Sequence, residues 1–171
     1  MKEIKMFKIP RVIKNHKTLE KELEVKINTK NGSVFLQGTP ENEYIAEQVI
    51  RALDLGFPLL KALNIKKNDA ILEVLNLKDY ARTKNTGVVK SRIIGTKGKT
   101  LRILEEMTNS FFEVSGNSIG IICAPEKLKD VTTALVSLIK GSKHGNVYGF
   151  IKRNKGKNEE LTREDLKEDF R

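Results

Sequence analysis

Paired short runs with β-strand character, each pair flanking a turn of asparagine and glycine, occur twice along the chain. The runs are residues 25–28 with 34–37, and residues 111–115 with 118–123. The first pair flanks Asn31-Gly32 and the second flanks Gly116-Asn117, and such turns tolerate the backbone angles of tight hairpins. Apolar residues alternate within the runs, so we expect two β-hairpins, each with one buried face.

An amphipathic helix is predicted after each hairpin. Pro40 and Pro125 suit a first helical turn, apolar residues then recur at intervals of three or four, and Gly56 and Gly141 follow as stop signals. A shift of 85 positions superimposes the turn, the proline, the apolar positions and the final glycine of the two segments. This agreement indicates a duplicated structural unit.

The segments upstream of the two hairpins differ. In the second copy, residues 70–77 predict a strand, 88–94 and 99–107 two helices, and 147–153 a helix after the repeat. That copy therefore has the order β-α-α-β-β-α, with one helix added. In the first copy only 15 positions separate Pro10 from Val25, so we expect one helix there rather than two. The fold class is α+β.

The positive charge is concentrated in the second half of the chain. The 171 residues carry 32 Lys and Arg against 22 Asp and Glu, a net charge of +10, to which residues 1–81 contribute +3, residues 82–155 contribute +9 and residues 156–171 contribute −2. Residues 82–102 contain seven cations and no acidic residue. A solvated surface usually mixes both signs, so this run favours a polyanionic partner.

Composition excludes several classes of protein. A hydrophobic fraction of 39% is too high for a mostly disordered chain, and no apolar run reaches the length of a membrane span. Cys123 is the only cysteine and there are two histidines, so neither an internal disulfide nor a zinc site is expected. We expect a soluble cytoplasmic protein without cofactor or metal.

A loop with glycines at both ends, Gly95-Thr96-Lys97-Gly98, interrupts the two predicted helices of the second copy. Glycine lets a phosphodiester approach main-chain N–H groups closely, and the helix that begins near Lys99 adds the positive end of its dipole. Gly98-Lys99-Thr100 resembles the end of a nucleotide-binding P-loop, but Ile93 stands where that motif needs its first glycine. A plain helical turn with solubilising lysines is the remaining alternative.

G-x-x-G between two helices, followed by β-β-α, is the pattern of the KH module, which clamps single-stranded RNA. We expect the loop to hold the RNA backbone, cations to neutralise phosphates, and apolar residues to form a floor for the bases. For Ile94, Leu101 and Phe112 a place in the core is an equally good interpretation. The predicted RNA-binding residues are Lys90, Arg92, Ile94, Gly95, Thr96, Lys97, Gly98, Lys99, Arg102 and Phe112. No catalytic constellation is present, and we expect a protein that is not an enzyme.

Residues 91–106, together with the His144-Gly-Asn-Val-Tyr148 segment, resemble the tandem-KH ribosome-assembly family called Dim-two or partner-of-Nob-one, in its archaeal form. The Leu55-Gly-Phe-Pro segment resembles the interdomain region of that family. The resemblance implies binding near the 3′ end of small-subunit ribosomal RNA, placement of that end for a maturation endonuclease, and contact with a translation initiation factor subunit. A general KH-type regulator is the alternative.

The repeat and the distribution of charge divide the chain into three segments. Residues 1–68 would form a degenerate KH-like domain, because Pro10-Arg11-Val12-Ile13 stands where the second copy has its glycine loop. Such a domain could serve as a protein-interaction scaffold that the second domain tethers to RNA. Residues 69–155 would form the complete type I KH domain. The charged tail, residues 156–171, is either disordered or a weak helix that docks a partner through Leu161, Leu166 and Phe170.

Overall fold

The structure is a computed structural model, and it describes residues 1–168, with side chains up to residue 157. The first half contains β1 (Lys2–Lys5), α1 (Ile9–Lys14), α2 (His16–Leu23), β2 (Lys26–Lys30), β3 (Ser33–Gln37), α3 (Pro40–Leu55), α4 (Leu59–Ala62) and α5 (Asn64–Lys67). The second half contains β4 (Ile71–Asn76), α6 (Leu77–Tyr80), α7 (Thr86–Ile94), α8 (Lys99–Thr108), β5 (Phe111–Ser115), β6 (Ser118–Cys123), α9 (Leu128–Lys140) and α10 (His144–Glu168). Short 3₁₀ turns lie at Thr96–Gly98 and Pro125–Lys127.

Two antiparallel sheets of three strands have the same topology. Their strand orders are β1-β3-β2 and β4-β6-β5, so the strand that comes last in the sequence of each sheet lies in its middle. Asn31 and Gly32 have φ angles of 51° and 81°, and Gly116 has a φ of 58°, which are the angles of tight hairpin turns. The two predicted hairpins and the α+β fold class, with a duplicated KH-type arrangement, are confirmed.

The first copy contains two helices before its hairpin, and the expectation of one helix there was wrong. Helix α1 has six residues and α2 has eight, and Asn15 alone separates them. The Asn15 backbone N–H bonds back to Val12, so the chain turns directly from one helix into the next. Short helices without a connecting loop fit into a segment that is too short for two helices and a loop.

The chain forms two compact units that divide it differently from the predicted domains. The first unit combines residues 1–76 with 111–125, and the second combines residues 77–110 with those from 126 onward. In the first unit, the buried ring of Phe57 packs against Gly120 on β6 so closely that a Cβ there would lie 2.8 Å from the ring. The predicted boundary at residue 68 follows the order of the elements and stays a prediction.

A buried carboxylate joins β1 to α3 in the first unit. Glu47 pairs with Lys2 of β1 and with Arg51 one turn further along α3, the latter at 2.7 Å. Burial of Glu47 disfavours its charged form, but the hydrogen bonds from Lys2 and Arg51 outweigh this and lower its pKa. The pairing therefore fixes the edge strand on the helix that covers its sheet.

Helix α10 begins at His144 and continues through Glu168, well beyond the predicted end at residue 153. Val147 and Ile151 are buried, and the Asn154 amide donates to Asp130 of α9 at 3.0 Å. The backbone of residues 156–168 is helical, whereas the side chains of Leu161 and Leu166, and Phe170 as a whole, lie outside the described part. None of the helices in residues 1–168 has an apolar stretch of membrane-spanning length.

Candidate RNA-binding site

The glycine loop, Gly95–Gly98, needs a glycine at its first position. Gly95 ends α7 with a φ of 72° and a ψ of 178°, and its N–H bonds to the Ser91 carbonyl at 2.9 Å. A Cβ on Gly95 would lie 2.9 Å from the Thr100 backbone nitrogen and closer still to the Thr100 hydroxyl. The loop backbone is therefore pressed against the first turn of α8, where no side chain would fit.

The other end of the loop turns directly into α8. Lys97 and Gly98 both have left-handed backbone angles, with φ values of 51° and 73°. A Cβ on Gly98 would meet no other atom within 4 Å, so the surroundings of this residue are open. Helix α8 has no capping side chain and no acidic residue in its first turn. The Lys99 N–H donates to the Thr96 carbonyl, and the following N–H groups of the first turn, which no side chain caps, face an anion beside the loop.

Exposed cations surround this helix terminus. The exposed cations are Lys97, Lys99 and Arg102, and Lys90 on α7 is half-buried. The neutral side chain of Thr96 is also exposed. Arg102 Nη2 donates to the Lys97 carbonyl at 3.3 Å, and this hydrogen bond stabilises the turn. Among the residues with described side chains, neither Lys97 nor Lys99 takes part in a salt bridge. Both ammonium groups can therefore meet phosphate without first leaving a carboxylate.

Arg92 has a structural contact that its sequence context did not suggest. Its guanidinium donates to the Leu138 carbonyl at 3.4 Å and lies beside Gly141, at the C-terminal end of α9. A cation at this end of a helix meets the negative end of the dipole. The structure thus gives Arg92 a role in joining α7 to α9, and this contact competes with the phosphate contact that we predict from the sequence.

The three apolar candidates have different environments. Ile94 and Leu101 are half-buried on the helices that flank the glycine loop. Phe112 lies on β5 in the first compact unit, and its side chain is 2% exposed. The structure therefore places the candidates between Lys90 and Arg102 on α7, the glycine loop and α8. The side chain of Phe112 is buried, which agrees with its alternative interpretation as a core residue.

His144 links α10 to α7, a contact that sequence reasoning left open. Its Nε2 donates to the Arg92 carbonyl at 3.0 Å, and its ring lies 6.3 Å from that of Tyr148, tilted by 50°. Val147, between them, is buried. The spacing of His144, Val147 and Tyr148 is thus explained by packing, which holds the start of α10 against Arg92, three residues before the glycine loop begins.

Comparison with known proteins agrees with this geometry. Residues 71–156 match the family model of the second KH domain of PNO1, described as a eukaryotic-type KH domain of type I. The crystal structure of Dim2p from Pyrococcus horikoshii is 30% identical with a TM-score of 0.81, covering 89% of this chain and 98% of that one. The chain belongs to the PNO1/Dim2 family. The resemblance noted in the sequence is thereby confirmed.

Two further PNO1/Dim2 relatives bear on function. Dim2p in a crystal structure described as an a/eIF2alpha-aDim2p-rRNA complex from Pyrococcus horikoshii is 29% identical with a TM-score of 0.82, covering 91% of this chain and 94% of that one. The KH domain-containing protein MJ0443 of Methanocaldococcus jannaschii is 32% identical over 148 residues, which are 82% of this chain and 65% of that protein. The chain spans about half of longer curated relatives, such as the pre-rRNA-processing protein PNO1 of Yarrowia lipolytica.

Proposed function

We propose that the chain binds single-stranded RNA through the glycine loop and acts, without catalysis, in the maturation of small-subunit ribosomal RNA. The observation that carries the proposal is the loop itself. A left-handed turn between two glycines leads into a helix terminus without a side-chain cap, and beside it lie two exposed lysines that form no salt bridge with any side chain described up to residue 157. This combination suits a phosphodiester backbone rather than an isolated side-chain carboxylate.

In the proposed mechanism, the phosphates of an extended strand approach the open backbone around Gly98. The N–H groups at the start of α8 donate to phosphate oxygens, while Lys97, Lys99 and Arg102 supply the neutralising charge. Because Arg102 also holds the Lys97 carbonyl, the turn is fixed before RNA arrives and less ordering entropy is lost on binding. Ile94 and Leu101 offer half-buried apolar surface against which bases could lie.

The finer assignment rests on the family. A relative is described in complex with a/eIF2alpha and rRNA, and others are named pre-rRNA-processing proteins. We infer that this chain holds the 3′ end of small-subunit rRNA for a maturation endonuclease and contacts an initiation factor subunit. Crosslinking the chain to cellular RNA and mapping the bound positions tests this: sites near that 3′ end support it, whereas scattered messenger sites would indicate a general KH regulator.

The clamp is tested with a double substitution in the loop and a matched control. Thr96→Asp with Lys97→Asp places two carboxylates where phosphate should bind, and we expect affinity for a fluorescent single-stranded oligoribonucleotide to fall more than about tenfold. Thr29→Asp with Lys30→Asp makes the same changes at exposed positions of the first copy. An equal loss in both double variants would rule out a site centred on the loop.

A specific observation favours a second role, in which the first copy contacts protein. Asn15 alone joins α1 to α2, where the second copy has four loop residues, so no backbone pocket for phosphate is formed. Residues 1–81 also carry a net charge of only +3. If the Thr29 and Lys30 substitutions weakened RNA binding as much as those at Thr96 and Lys97, this division of labour would be wrong.

A further inference from the structure

We propose that a cavity in the first compact unit, between the edge strands β1 and β4, binds an extended acidic segment of a partner protein. This edge cavity is open, has a volume of about 340 Å³, and is lined by Ile4, Lys5, Arg51, Asp54, Leu55 and Val74. The proposal gives the protein-contact role of the first copy a location and rests on that role. It is independent of the RNA clamp.

The charges at the edge cavity favour an anionic ligand. Lys5 and Arg51 contribute two cations to the lining, but Arg51 is paired with Glu47 at 2.7 Å; Asp54 is the one carboxylate of the lining. Asp54 Oδ1 already accepts two backbone N–H groups, from Phe7 at 2.9 Å and from Lys8 at 2.7 Å. Lys5 forms no salt bridge with a residue whose side chain is described, and the Lys8 ammonium adds a cation at the cavity, where it donates to the Leu55 carbonyl at 3.2 Å. Together these two cations exceed the single negative charge of Asp54.

The backbone at the edge cavity favours an extended ligand. Strands β1 and β4 are the edge strands of their sheets, and both contribute residues to the lining. The Met6 N–H bonds to Gly32 on the β3 side, so by the alternation of an antiparallel pair the Lys5 N–H points to the open side. An unpaired strand edge is a template for a further strand, and a partner segment can bind by main-chain hydrogen bonds there.

Exposed apolar groups beside the cavity supply an anchor. The Phe7 side chain is 98% exposed although Asp54 holds its backbone in a fixed turn, and Val74 is 45% exposed on β4. Because the Phe7 backbone is already fixed, only the rotation of its side chain is lost when a partner covers the ring, and buried aromatic anchors often dominate binding energy. An acidic segment that alternates with apolar residues matches the cations, the strand edge and these groups together.

The test uses the full chain and a peptide that alternates glutamate with valine and leucine, seven residues long and blocked at both termini. In ¹⁵N-labelled protein we expect the peptide to shift the amide signals of Lys5, Leu55 and Val74. A peptide with lysine in place of each glutamate is the matched ligand control. Equal binding of both peptides, or shifts confined to other regions, would overturn the proposal.

Substitutions at Phe7 and Lys5, with one at Tyr44 as a control, separate the contributions of the ring, the charge and the main chain. Phe7→Ser should weaken peptide binding about fivefold without lowering the melting temperature, because the ring has no intramolecular packing to lose. Tyr44→Ser removes another exposed aromatic ring, from α3, and should leave binding unchanged. Lys5→Pro removes the outward N–H and the Lys5 charge together while sparing the ladder to β3, whereas Lys5→Gln removes the charge alone, so binding should be weaker in Lys5→Pro than in Lys5→Gln.

RNA is the competing occupant, and the same variants distinguish it. If a single-stranded oligoribonucleotide shifted the cavity amides and displaced the peptide, the cavity would belong to an RNA path and the proposal would fail. Phe7→Ser should leave affinity for that oligoribonucleotide unchanged, whereas the double substitution at Thr96 and Lys97 should abolish it and spare the peptide. Failure of the cavity proposal and failure of the clamp are therefore separate results.

Discussion

Lys97 occupies a backbone conformation in which glycine would be more stable. Its φ of 51° and ψ of 31° are left-handed angles, which cost a residue with a Cβ about 1 kcal/mol. The side chain is exposed and forms no salt bridge with a described residue that could compensate for this cost. A lysine at this position makes physical sense if its charge serves binding rather than folding.

Lys97→Gly should therefore stabilise the fold while it weakens RNA binding. We expect the free energy of unfolding in urea to rise by up to about 1 kcal/mol, because the strained angle is relieved. Affinity for a single-stranded oligoribonucleotide should fall about threefold with the loss of one phosphate contact. Asn109→Gly is the matched control, since Asn109 ends α8 with a φ of 49° and should gain stability without affecting RNA. Unchanged affinity in Lys97→Gly would remove this lysine from the site.

The glycine loop was predictable because its signal is local, and its neighbours were less so because their contacts are distant in sequence. Gly95 meets Thr100 five positions away, within the motif itself. Arg92 contacts Leu138, 46 positions away, and His144 contacts Arg92 across 52 positions. Such contacts depend on how α9 and α10 pack, so the residues alone show a cation and a histidine but not what each one binds.

Elements with strong local signals were predicted closely, whereas elements that depend on a partner were missed. Helix α3 runs from Pro40 to Leu55 as expected, because its proline, cap and apolar spacing agree. Strand β1 has four residues and is stabilised by pairing with β3, about 30 positions later. Helix α1 has six residues, too few to be stable alone, and it persists because Val12 is buried in the core.

The contact between β6 and the segment after α3 gives a prediction for the first compact unit. Gly120→Ala should lower the free energy of unfolding by about 2 kcal/mol, because the added methyl would lie 2.8 Å from the Phe57 ring and 2.9 Å from Leu55. Gly145→Ala is the matched control: its site is open and helical, so stability should hold or rise slightly. Urea denaturation measures both changes.

A smaller side chain at position 57 tests the cause of that loss. Phe57→Leu alone should destabilise the fold by leaving a void, yet combined with Gly120→Ala it should cost less than the sum of the two single changes. Additive losses would mean that the methyl group and the ring do not compete for the same space. This contact also explains why residues 1–68 by themselves are a poor test fragment, since they lack the β6 partner of Phe57.

At the scale of the whole molecule, the uneven charge has a structural counterpart. The seven cations of residues 82–102 lie on α7, the glycine loop, α8 and the segment that precedes them, while the first copy is nearly neutral and has one residue in place of the loop. Long-range attraction to RNA should therefore act mainly on one half of the chain. The two copies share a fold, and the positive charge together with the four-residue loop distinguishes the second copy from the first.

The salt dependence of RNA binding should reveal which cations contact phosphate. On a single strand, each neutralised phosphate contributes about 0.7 to the slope of log affinity against log salt. Lys99→Gln should reduce the magnitude of that slope by about this amount, because the Lys99 side chain is exposed beside the loop. Arg92→Gln should leave the slope nearly unchanged and lower the melting temperature instead, since its guanidinium is engaged at the end of α9. Equal changes of slope in both variants would show that Arg92 leaves the Leu138 carbonyl to bind RNA.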